Sequence, residues 1–436
     1  MKLNQKTDDP IFTYEGGKAK KITPLRALER SVMSCLLWED EFYEDGVKIA
    51  DRIVELAMKV SHRELADLAV RTKYEGKLRH VPLLLLYILA TRAKGPTASG
   101  LTSKTIAEVI YRPDEMGELL AISAKFTGSS KKFTHQIRKG IALAWCKFDE
   151  YQLSKWNRDA QFKLKDVMRL THPKPNSEEQ VEMWARLLND ELKVAETWET
   201  ALSNASDKKA AVEDLLNRRK IGYFALLSNL VSFTKHGVNE DLIQTAILER
   251  RGANGILPFR FIAAARACPR FEPYLDLALM DNIKESHEFN GKTLLLIDVS
   301  GSMDRKLSGK STLTRMDAAA ILGSMFLGDA RVFTFSEELV EVPHRYGMAG
   351  VDVIVNSQFH SGTKLGAAVQ TMKTMDHDRL IVITDEQSHD RVPDPKVPQS
   401  YMINVASARN GVGYGKWNHI DGFSENIFNW IKSYEE

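Results

Sequence analysis

Residues 292–303 contain the group of side chains best suited to chemistry. An apolar run ends at Asp298, and Ser300 and Ser302 follow two and four residues later. A run of this length and composition predicts a buried strand, which would deliver all three side chains to one loop at its carboxyl end. Three hard oxygen ligands in one loop suit a small divalent cation such as Mg²⁺. Open α/β sheets also bind their ligands at this edge.

Two later segments add oxygen ligands of the same kind. Thr363 lies in a polar, glycine-containing turn ahead of a helical pattern, and Asp385 directly follows the apolar segment Arg379–Thr384. In the alternative interpretation, Ser300 and Ser302 only cap the next helix and no metal binds. The presence of both later ligands at plausible spacing favours the metal site.

An Asp-x-Ser-x-Ser loop followed by a distant Thr and a distant strand-terminal Asp resembles the metal-ion-dependent adhesion site of von Willebrand A domains. The resemblance implies that Asp298 supplies the main charge and that Glu386 lies beside the ligands. It also implies a free coordination position for water or for an acidic side chain of a protein partner. The implied ligands are Asp298, Ser300, Ser302, Thr363 and Asp385.

Length and composition describe an ordinary globular protein. A chain of 436 residues, 43% hydrophobic and 27% charged, predicts two domains. The polar first twenty residues predict no secretory signal, and the apolar stretch Val81–Ala90 is too short for a membrane span, so it predicts a buried helix. The three cysteines are far apart and indicate neither disulfides nor a zinc site. We therefore expect a cytoplasmic protein that does not associate with a membrane.

Positive charge is concentrated in residues 125–174. This segment has twelve Lys or Arg against four Asp or Glu, a net charge of +8, within a chain of net charge +2. Such a block predicts contact with a polyanion, or alternatively a solvated helix face balanced by acids elsewhere. The twelve basic residues are Lys125, Lys131, Lys132, Arg138, Lys139, Lys147, Lys155, Arg158, Lys163, Lys165, Arg169 and Lys174.

Three regions follow from the pattern of apolar residues and breakers. Residues 1–24 predict an extended or mobile arm, residues 25–287 a solenoid of helix pairs, and residues 288–436 an α/β domain. The Gly411, Gly413 and Gly415 repeat is a weak phosphate-loop candidate and more typical of a flexible surface loop. The predicted strands are Lys292–Ile297, Ala330–Phe335, Asp352–Val355, Arg379–Thr384 and Tyr401–Val405.

The helical region resembles the TROVE domain of the Ro ribonucleoprotein family. That family shows a Lys-aromatic-Arg stretch, then a Lys-Asp-Leu helix, then Ser/Thr-His-x-Lys-Pro, and residues 155–175 resemble this order, with Lys-Asp-Val in the helix and Thr-His-Pro-Lys-Pro after it. With the A domain, the resemblance implies a ring of HEAT-like helical repeats closed by an α/β doubly wound domain. It also implies that single-stranded 3′ ends of structured or misfolded RNA bind through the hole, that small Y-like RNAs bind a basic outer face, and that an exoribonuclease is a partner.

The resemblance transfers to single residues unevenly. Lys155 and Arg158 are expected on phosphates in the hole, with His172 as a hydrogen-bond or stacking partner, although Asp159 departs from the more basic family pattern. Trp145 and Trp156 are candidates for base stacking or for core packing. The full set of RNA-binding candidates is Lys155, Arg158, Lys165, Arg169 and His172 for the hole region, and Lys131, Lys132, Arg138 and Lys139 for an outer or rim surface.

Three functions compete at this point. The first is a non-catalytic RNA-binding scaffold, sufficient as a monomer. The second is a metal-dependent adaptor that docks proteins without an RNA role. The third is a metal-dependent nuclease, which we do not expect because the sequence offers one hydroxyl-rich metal site and no evident second metal or general base. The basic block discriminates the first two: unpaired charges around a concave surface favour RNA, and pairing with acids favours the adaptor.

Overall fold

The computed structural model describes residues 11–13, 16–18, 21–33, 46–76, 78–195, 197–253, 256, 258–284, 288–307, 312–406, 410–422 and 426–435. They form two compact units, Ala50–Ser206 and a second unit made of Met1–Ile49 with Asp207–Glu436. The first unit is all helical, whereas the second combines helices with a six-stranded sheet. Among the described residues, no helix combines the length and apolar character needed to cross a bilayer.

The helices precede the sheet along the chain and then alternate with its strands. The helices are α1 (Pro24–Met33), α2 (Gly46–Ala57), α3 (His62–Tyr74), α4 (His80–Arg92), α5 (Gly95–Val109), α6 (Pro113–Thr127), α7 (His135–Ala144), α8 (Glu150–Trp156), α9 (Leu164–Thr171), α10 (Glu178–Leu188), α11 (Trp198–Asn204), α12 (Lys208–Asn217), α13 (Tyr223–Lys235), α14 (Glu240–Glu249), α15 (Phe259–Ala267), α16 (Glu272–Lys284), α17 (Arg315–Met325), α18 (Gly347–Val355), α19 (Leu365–Met372) and α20 (Asn426–Glu435).

Local signals set several helix ends. Thr23 Oγ1 accepts a hydrogen bond from the Arg26 amide at 3.3 Å, so α1 begins at Pro24 as its Thr-Pro start predicts. Ser61 and Glu64 cap the start of α3 reciprocally, at 3.2 and 2.8 Å. Gly128, with φ of 65°, adopts the left-handed conformation that ends α6.

The helical unit packs its helices in successive layers. Helix α4 is buried on nearly every face, as its continuous apolar run predicts, and it contacts α3, α5 and α6. Helix α5 packs against α7 closely enough that a Cβ on Gly140 would lie 2.5 Å from the Ile106 side chain. Helix α9 contacts both α6 and α7 and therefore holds the end of the basic segment against the core of this unit.

The sheet has the strand order β3-β2-β1-β4-β5-β6, with every neighbouring pair parallel except β2 and β3. Because β1 lies at the centre and the chain extends to either side of it, the crevice between β1 and β4 is the topological switch point. The strands are β1 (Phe289–Asp298), β2 (Gly328–Phe335), β3 (Leu339–Val342), β4 (Arg379–Thr384), β5 (Gln399–Asn404) and β6 (Asn418–Asp421).

Both faces of the sheet are covered, which explains the continuous apolar runs of its central strands. On one face, Leu294 and Leu296 pack with α19 residues such as Val369. On the other, Ile297 reaches α17, where a Cβ on Gly323 would come within 2.3 Å of it. The fold therefore places the end of β1 rigidly between two helical layers.

Two sequence predictions about this domain were wrong. The segment Asp352–Val355 forms the last turn of helix α18 and not a strand, because α18 packs against α16 and α17 and this contact overrides the β-branched composition. The antiparallel strand β3 and the short strand β6 were not predicted. The other four predicted strands are confirmed as β1, β2, β4 and β5.

The described residues of the N-terminal arm are docked on the sheet's carboxyl edge. Thr13 Oγ1 and the Gly17 amide donate hydrogen bonds to the Ser388 carbonyl at 2.8 and 3.0 Å. Asn410 donates to the Phe12 carbonyl at 2.8 Å. A Cβ on Gly17 would lie 2.3 Å from the Ser388 oxygen, so only glycine allows this approach. This part of the predicted arm is therefore a fixed element of the fold.

Candidate metal centre and candidate nucleic-acid interface

Two carboxylates predicted as metal ligands lie at the switch point of the sheet. Asp298 is the last residue of β1, and Asp385 directly follows β4, the strand that pairs with β1 in parallel. Both side chains are fully buried. The Thr384 hydroxyl donates a hydrogen bond to Asp298 Oδ2 at 2.5 Å and so links the two strand ends directly.

Two of the predicted hydroxyl ligands, Ser300 and Ser302, lie next to these carboxylates. The Ser300 amide donates to Asp298 Oδ1 at 2.9 Å, and the hydroxyls of Ser300 and Ser302 lie 3.3 Å apart. Ser302 is hydrogen-bonded to Asp385. The structure thus joins the Asp-x-Ser-x-Ser loop to the end of β4, as the sequence predicted.

Thr363 is buried in a loop that other strand ends hold in place. Its amide donates to His389 Nδ1 at 3.0 Å, and its carbonyl accepts from the His389 amide at 3.0 Å. In the same loop, the Ser361 carbonyl accepts from the Gly301 amide at 2.9 Å. These bonds connect the Thr363 loop to both the serine loop and the segment after β4.

The electrostatics of the site favour a bound cation. Burial and the neighbouring Asp385 raise the pKa of Asp298 to about 7. Burial also raises the pKa of Asp385, although the buried Arg315 guanidinium opposes this shift. No ion pair joins Asp298 to a cationic side chain within the described part of the chain. Two carboxylates and three hydroxyls are hard oxygen donors, so the residues present fit a divalent cation such as Mg²⁺.

The carboxylate of Glu386, which was predicted to lie beside the ligands, is part of a buried network of ion pairs and hydrogen bonds. It forms an ion pair with Arg30 at 2.9 Å, is hydrogen-bonded to His419, and accepts from the Gly413 amide at 2.7 Å. Burial raises the pKa of Glu386, but Arg30 and His419 outweigh that effect and hold it at about 2. Glu386 itself has φ of 60°, a left-handed backbone conformation that is uncommon for a residue other than glycine.

Two glycines of the repeat, Gly411 and Gly413, are part of this network, whereas Gly415 lies at the surface as predicted. Gly411 and Gly413 are buried, and a Cβ at either position would lie 2.3 Å or less from Glu386 or Met402 atoms. Glycine is needed here because the loop passes directly over the Arg30–Glu386 pair. The glycine spacing is visible in the sequence. The reason for it is not, because these glycines make room for Arg30 of α1, which is far away in the chain.

Lys155 and Arg158 lie at the end of α8 beside an aromatic side chain. The Arg158 guanidinium is 4.8 Å from the Trp156 ring centre, and the Lys155 ammonium is 5.7 Å from it. Arg112 packs on the same ring at 4.0 Å. Within the described chain, neither Lys155 nor Arg158 has an ion-pair partner, so both charges remain available to a ligand.

Both residues line an open cavity of about 600 Å³ in the helical unit. The Ser154 hydroxyl, on the same helix, accepts from the Ala195 amide at 2.9 Å and so joins α8 to the second segment that lines the cavity. Arg169 and His172 line a different cavity of about 510 Å³, together with Pro173 and other apolar residues. Lys155, Arg158 and His172 were expected together in one hole. In this unit, Lys155 and Arg158 line one cavity and His172 lines the other.

The other basic candidates differ in how far their charges are engaged. Lys165 donates to Asp190 at 2.7 Å, and Lys163 pairs with Asp159 at 2.8 Å. The hydrogen bond from Lys165 holds the pKa of Asp190 below its usual range, and Lys163 and Arg169 add to the attraction. These pairs are exposed and weakly bound.

The outer or rim candidates Lys131, Lys132, Arg138 and Lys139 are exposed, and no ion pair holds them among the described residues. Phe133 packs edge-on against Phe162 at 5.7 Å, which brings the Lys131–Lys132 loop next to the segment that follows Arg158. Trp145, by contrast, is a core residue: it is fully buried and donates to Thr171 at 3.2 Å.

Comparison with known proteins identifies the fold. No family model matches the chain, and no curated protein sequence matches it. Among solved structures, the chain is similar to the Ro (RSR) protein of Deinococcus radiodurans, with 17% identity and a TM-score of 0.62 over 95% of this chain and 100% of that chain. This likeness confirms the predicted combination of an all-α helical region with a von Willebrand A-like α/β domain. The chain therefore has the fold of a Ro protein.

Proposed function

We propose that this protein is a non-catalytic RNA-binding protein that holds single-stranded RNA at the cavity beside α8. The observation that carries the proposal is the position of Lys155 and Arg158, which line a 600 Å³ cavity and have no ion-pair partner in the described chain. Unpaired cations next to the half-buried Trp156 ring provide phosphate neutralisation and an aromatic surface, which bind an unpaired strand without reading its sequence.

The rest of the basic surface supports a longer RNA. Arg169 and His172 line the second cavity, and Lys131, Lys132, Arg138 and Lys139 are exposed nearby along the chain. We assign the cavities to single-stranded 3′ ends of structured or misfolded noncoding RNA, and the exposed lysines and arginines to a Y-like RNA. The Ro fold supports this assignment, and the predicted ring and a monomeric, cytoplasmic protein remain part of the proposal.

Fluorescence anisotropy with a labelled hairpin RNA that carries a single-stranded 3′ tail tests the proposal. We expect the wild-type protein to bind the tailed hairpin more tightly than a blunt duplex of the same length, because only unpaired nucleotides enter the cavity. The Lys155→Ala/Arg158→Ala variant should lose this preference.

A matched control is available in the other unit. Lys208 and Lys209 are exposed on α12, so Lys208→Ala/Lys209→Ala removes the same charge outside the basic segment. Equal affinity for tailed and blunt RNA in the wild type, or equal losses in the two variants, would contradict the proposal.

The A-type domain supports a second element of the function. Buried Asp298 and Asp385, with the surrounding hydroxyls, fit a divalent cation, and we propose Mg²⁺ there. A cation bound at this edge would supply a positive centre for an acidic side chain of a protein partner, such as an exoribonuclease that acts on the bound RNA. The chain's own contribution is to hold the carboxylates and the Thr363 loop in fixed positions.

A metal-dependent adaptor without an RNA role is the second candidate function. It is favoured by the Asp298 site and by the engagement of Lys163 and Lys165 with acids. Calorimetry with Mg²⁺ on the wild type and on Asp298→Ala separates the two elements. If the variant binds Mg²⁺ as tightly as the wild type, the metal site is not at Asp298. This result leaves RNA binding untouched, because the anisotropy experiment measures RNA affinity separately.

A further inference from the structure

The cavity beside α8 is lined by charged side chains of both signs. Lys155 and Arg158 come from the end of α8 and the loop that follows it. Asp190 follows the end of α10, and Glu199 is the second residue of α11. A ligand that fills this space should therefore present both an anionic group and hydrogen-bond donors.

Glu199 is the more available of the two carboxylates. Its Oε2 atom is buried in the cavity wall, and no described residue donates a hydrogen bond to it. An acceptor in this state carries a desolvation cost that a donor from a ligand would relieve. Asp190 already accepts from Lys165 at 2.7 Å.

The two threonine hydroxyls near Glu199 in the chain are already engaged with each other. Thr197 and Thr200, which also line the cavity, form a reciprocal cap at the start of α11, with amide-to-hydroxyl distances of 3.0 and 3.2 Å. They cannot serve a ligand without opening that cap. The side chains of this segment that remain for a ligand include the carboxylates of Asp190 and Glu199, which accept hydrogen bonds and repel anions.

We propose that this cavity recognises the 3′-terminal nucleotide of an RNA, with Lys155 and Arg158 on its 5′-phosphate and Glu199 accepting hydrogen bonds from its free 2′ and 3′ hydroxyls. Neighbouring hydroxyls of a ribose are donors at the spacing of a carboxylate, and acidic side chains bind ribose hydroxyls in this way in nucleotide sites. The volume of about 600 Å³ is in the range of small-ligand sites, ~300–1,000 Å³.

The arrangement selects for the chemistry of the RNA end. A terminal 3′-phosphate would bring negative charge against Glu199 and Asp190, and a terminus without hydroxyls would leave Glu199 without a donor. The inference rests on the proposed RNA-binding function and adds that the end of the strand is read. A free nucleoside 5′-monophosphate has the same phosphate and ribose hydroxyls as the 3′-terminal nucleotide of an RNA. The experiment therefore has to distinguish a free nucleotide from an RNA end.

The experiment measures binding of the full chain to three hairpin RNAs, labelled at the 5′ end, that differ only in the end of the 3′ tail. The ends are a 2′,3′-diol, a 3′-phosphate and a 2′,3′-dideoxy terminus. We expect the diol to bind about tenfold more tightly than either of the others, the effect of losing one hydrogen bond to a charged group. Glu199→Gln should reduce this discrimination by strengthening binding of the 3′-phosphate.

Glu179→Gln, a neutralised exposed carboxylate on α10, is the matched control and should keep the discrimination. The wild-type series tests the inference even if Glu199→Gln fails to fold. Equal affinity for all three ends, with tail dependence retained, overturns the inference and leaves the proposed function intact. Loss of tail dependence overturns both. Adenosine 5′-monophosphate is tested in the same way. If it binds the cavity and the three RNA ends bind with equal affinity, the cavity is a site for a free nucleotide, which also overturns the inference.

Discussion

The buried ion network of the sheet unit and the basic surface of the helical unit use the same kinds of side chain in opposite ways. In the network, Arg30 and Glu386 are fully buried and paired at 2.9 Å, and the glycine loop at Gly413 closes over them. On the basic surface, Lys155 and Arg158 lie beside the Trp156 ring, line an open cavity and have no ion-pair partner among the described residues. A charge is available for a ligand only where the fold has not already paired it.

The comparison also explains why a formal charge count is a poor guide to function. The segment 125–174 carries +8, yet Lys163 and Lys165 are engaged with Asp159 and Asp190. Among the basic residues of this segment that have no ion-pair partner in the described part of the chain are Lys131 and Lys132 before α7, Arg138 and Lys139 on α7, and Lys155 and Arg158 at the end of α8. Substitutions at these positions should change RNA affinity without changing the stability of the fold.

The largest expected effect tests the structural side of the comparison. Arg30→Met should lower the free energy of unfolding by about 3–5 kcal/mol, because it leaves the Glu386 carboxylate buried without its main partner. Urea unfolding followed by circular dichroism gives this value. RNA affinity of the folded variant should not change.

A matched exposed pair is the control for that prediction. Arg331 and Glu341 form two hydrogen bonds of 2.7 Å across β2 and β3, with about half of each side chain exposed. Arg331→Met should cost no more than ~1 kcal/mol. Similar losses at Arg30 and Arg331 would remove the distinction between buried and exposed pairs.

The metal centre should show the next largest effect. At a Mg²⁺ concentration of 100 times its dissociation constant, binding should stabilise the wild type by about 2.7 kcal/mol. Asp298→Asn should abolish this gain. In the presence of a chelator, the variant should be at least as stable as the wild type, because a buried carboxylate that repels Asp385 has been removed.

Thermal unfolding with and without Mg²⁺ measures both effects on the same samples. Ser357→Ala is a suitable comparison, because this hydroxyl bonds to Thr334 at 2.8 Å and lies outside the predicted ligand set. A wild type that gains no stability from Mg²⁺ would contradict the assignment of a divalent-cation site.

A smaller effect should separate paired from unpaired lysines within the basic segment. Lys155→Ala should weaken RNA binding about tenfold through the loss of one charge-assisted contact. Lys163→Ala should weaken it by less than about threefold, because its charge is already engaged by Asp159 at 2.8 Å. Titrations with one tailed RNA at fixed salt compare the two, and equal losses would show that pairing does not decide availability.

The smallest effect has the opposite sign. Asp159→Asn should strengthen RNA binding by about two- to threefold, since it removes a repulsive charge and releases Lys163 for a phosphate. Stability should hardly change, because Asp159 is exposed. Unchanged or weaker RNA binding would place Lys163 away from the RNA path.

The sequence predicted the parts of this molecule that depend on local patterns. Asp298 and Asp385 each end an apolar run, and a parallel sheet brings such ends together. The Arg30–Glu386 pair could not be predicted, because its members are far apart in the chain and each is an ordinary helix or loop residue in sequence. Glu199 was missed for a similar reason, since its cavity is formed by two segments, 154–158 and 190–200, that are about thirty residues apart in the chain.

The most direct test of the central claim is the salt dependence of RNA binding by wild type and by Lys155→Ala/Arg158→Ala. If both side chains neutralise phosphates, the slope of the logarithm of affinity against the logarithm of salt concentration should become shallower by about 1.4, or ~0.7 for each contact with a single strand. The Lys208→Ala/Lys209→Ala control should retain the wild-type slope. Parallel slopes for wild type and Lys155→Ala/Arg158→Ala would contradict the account.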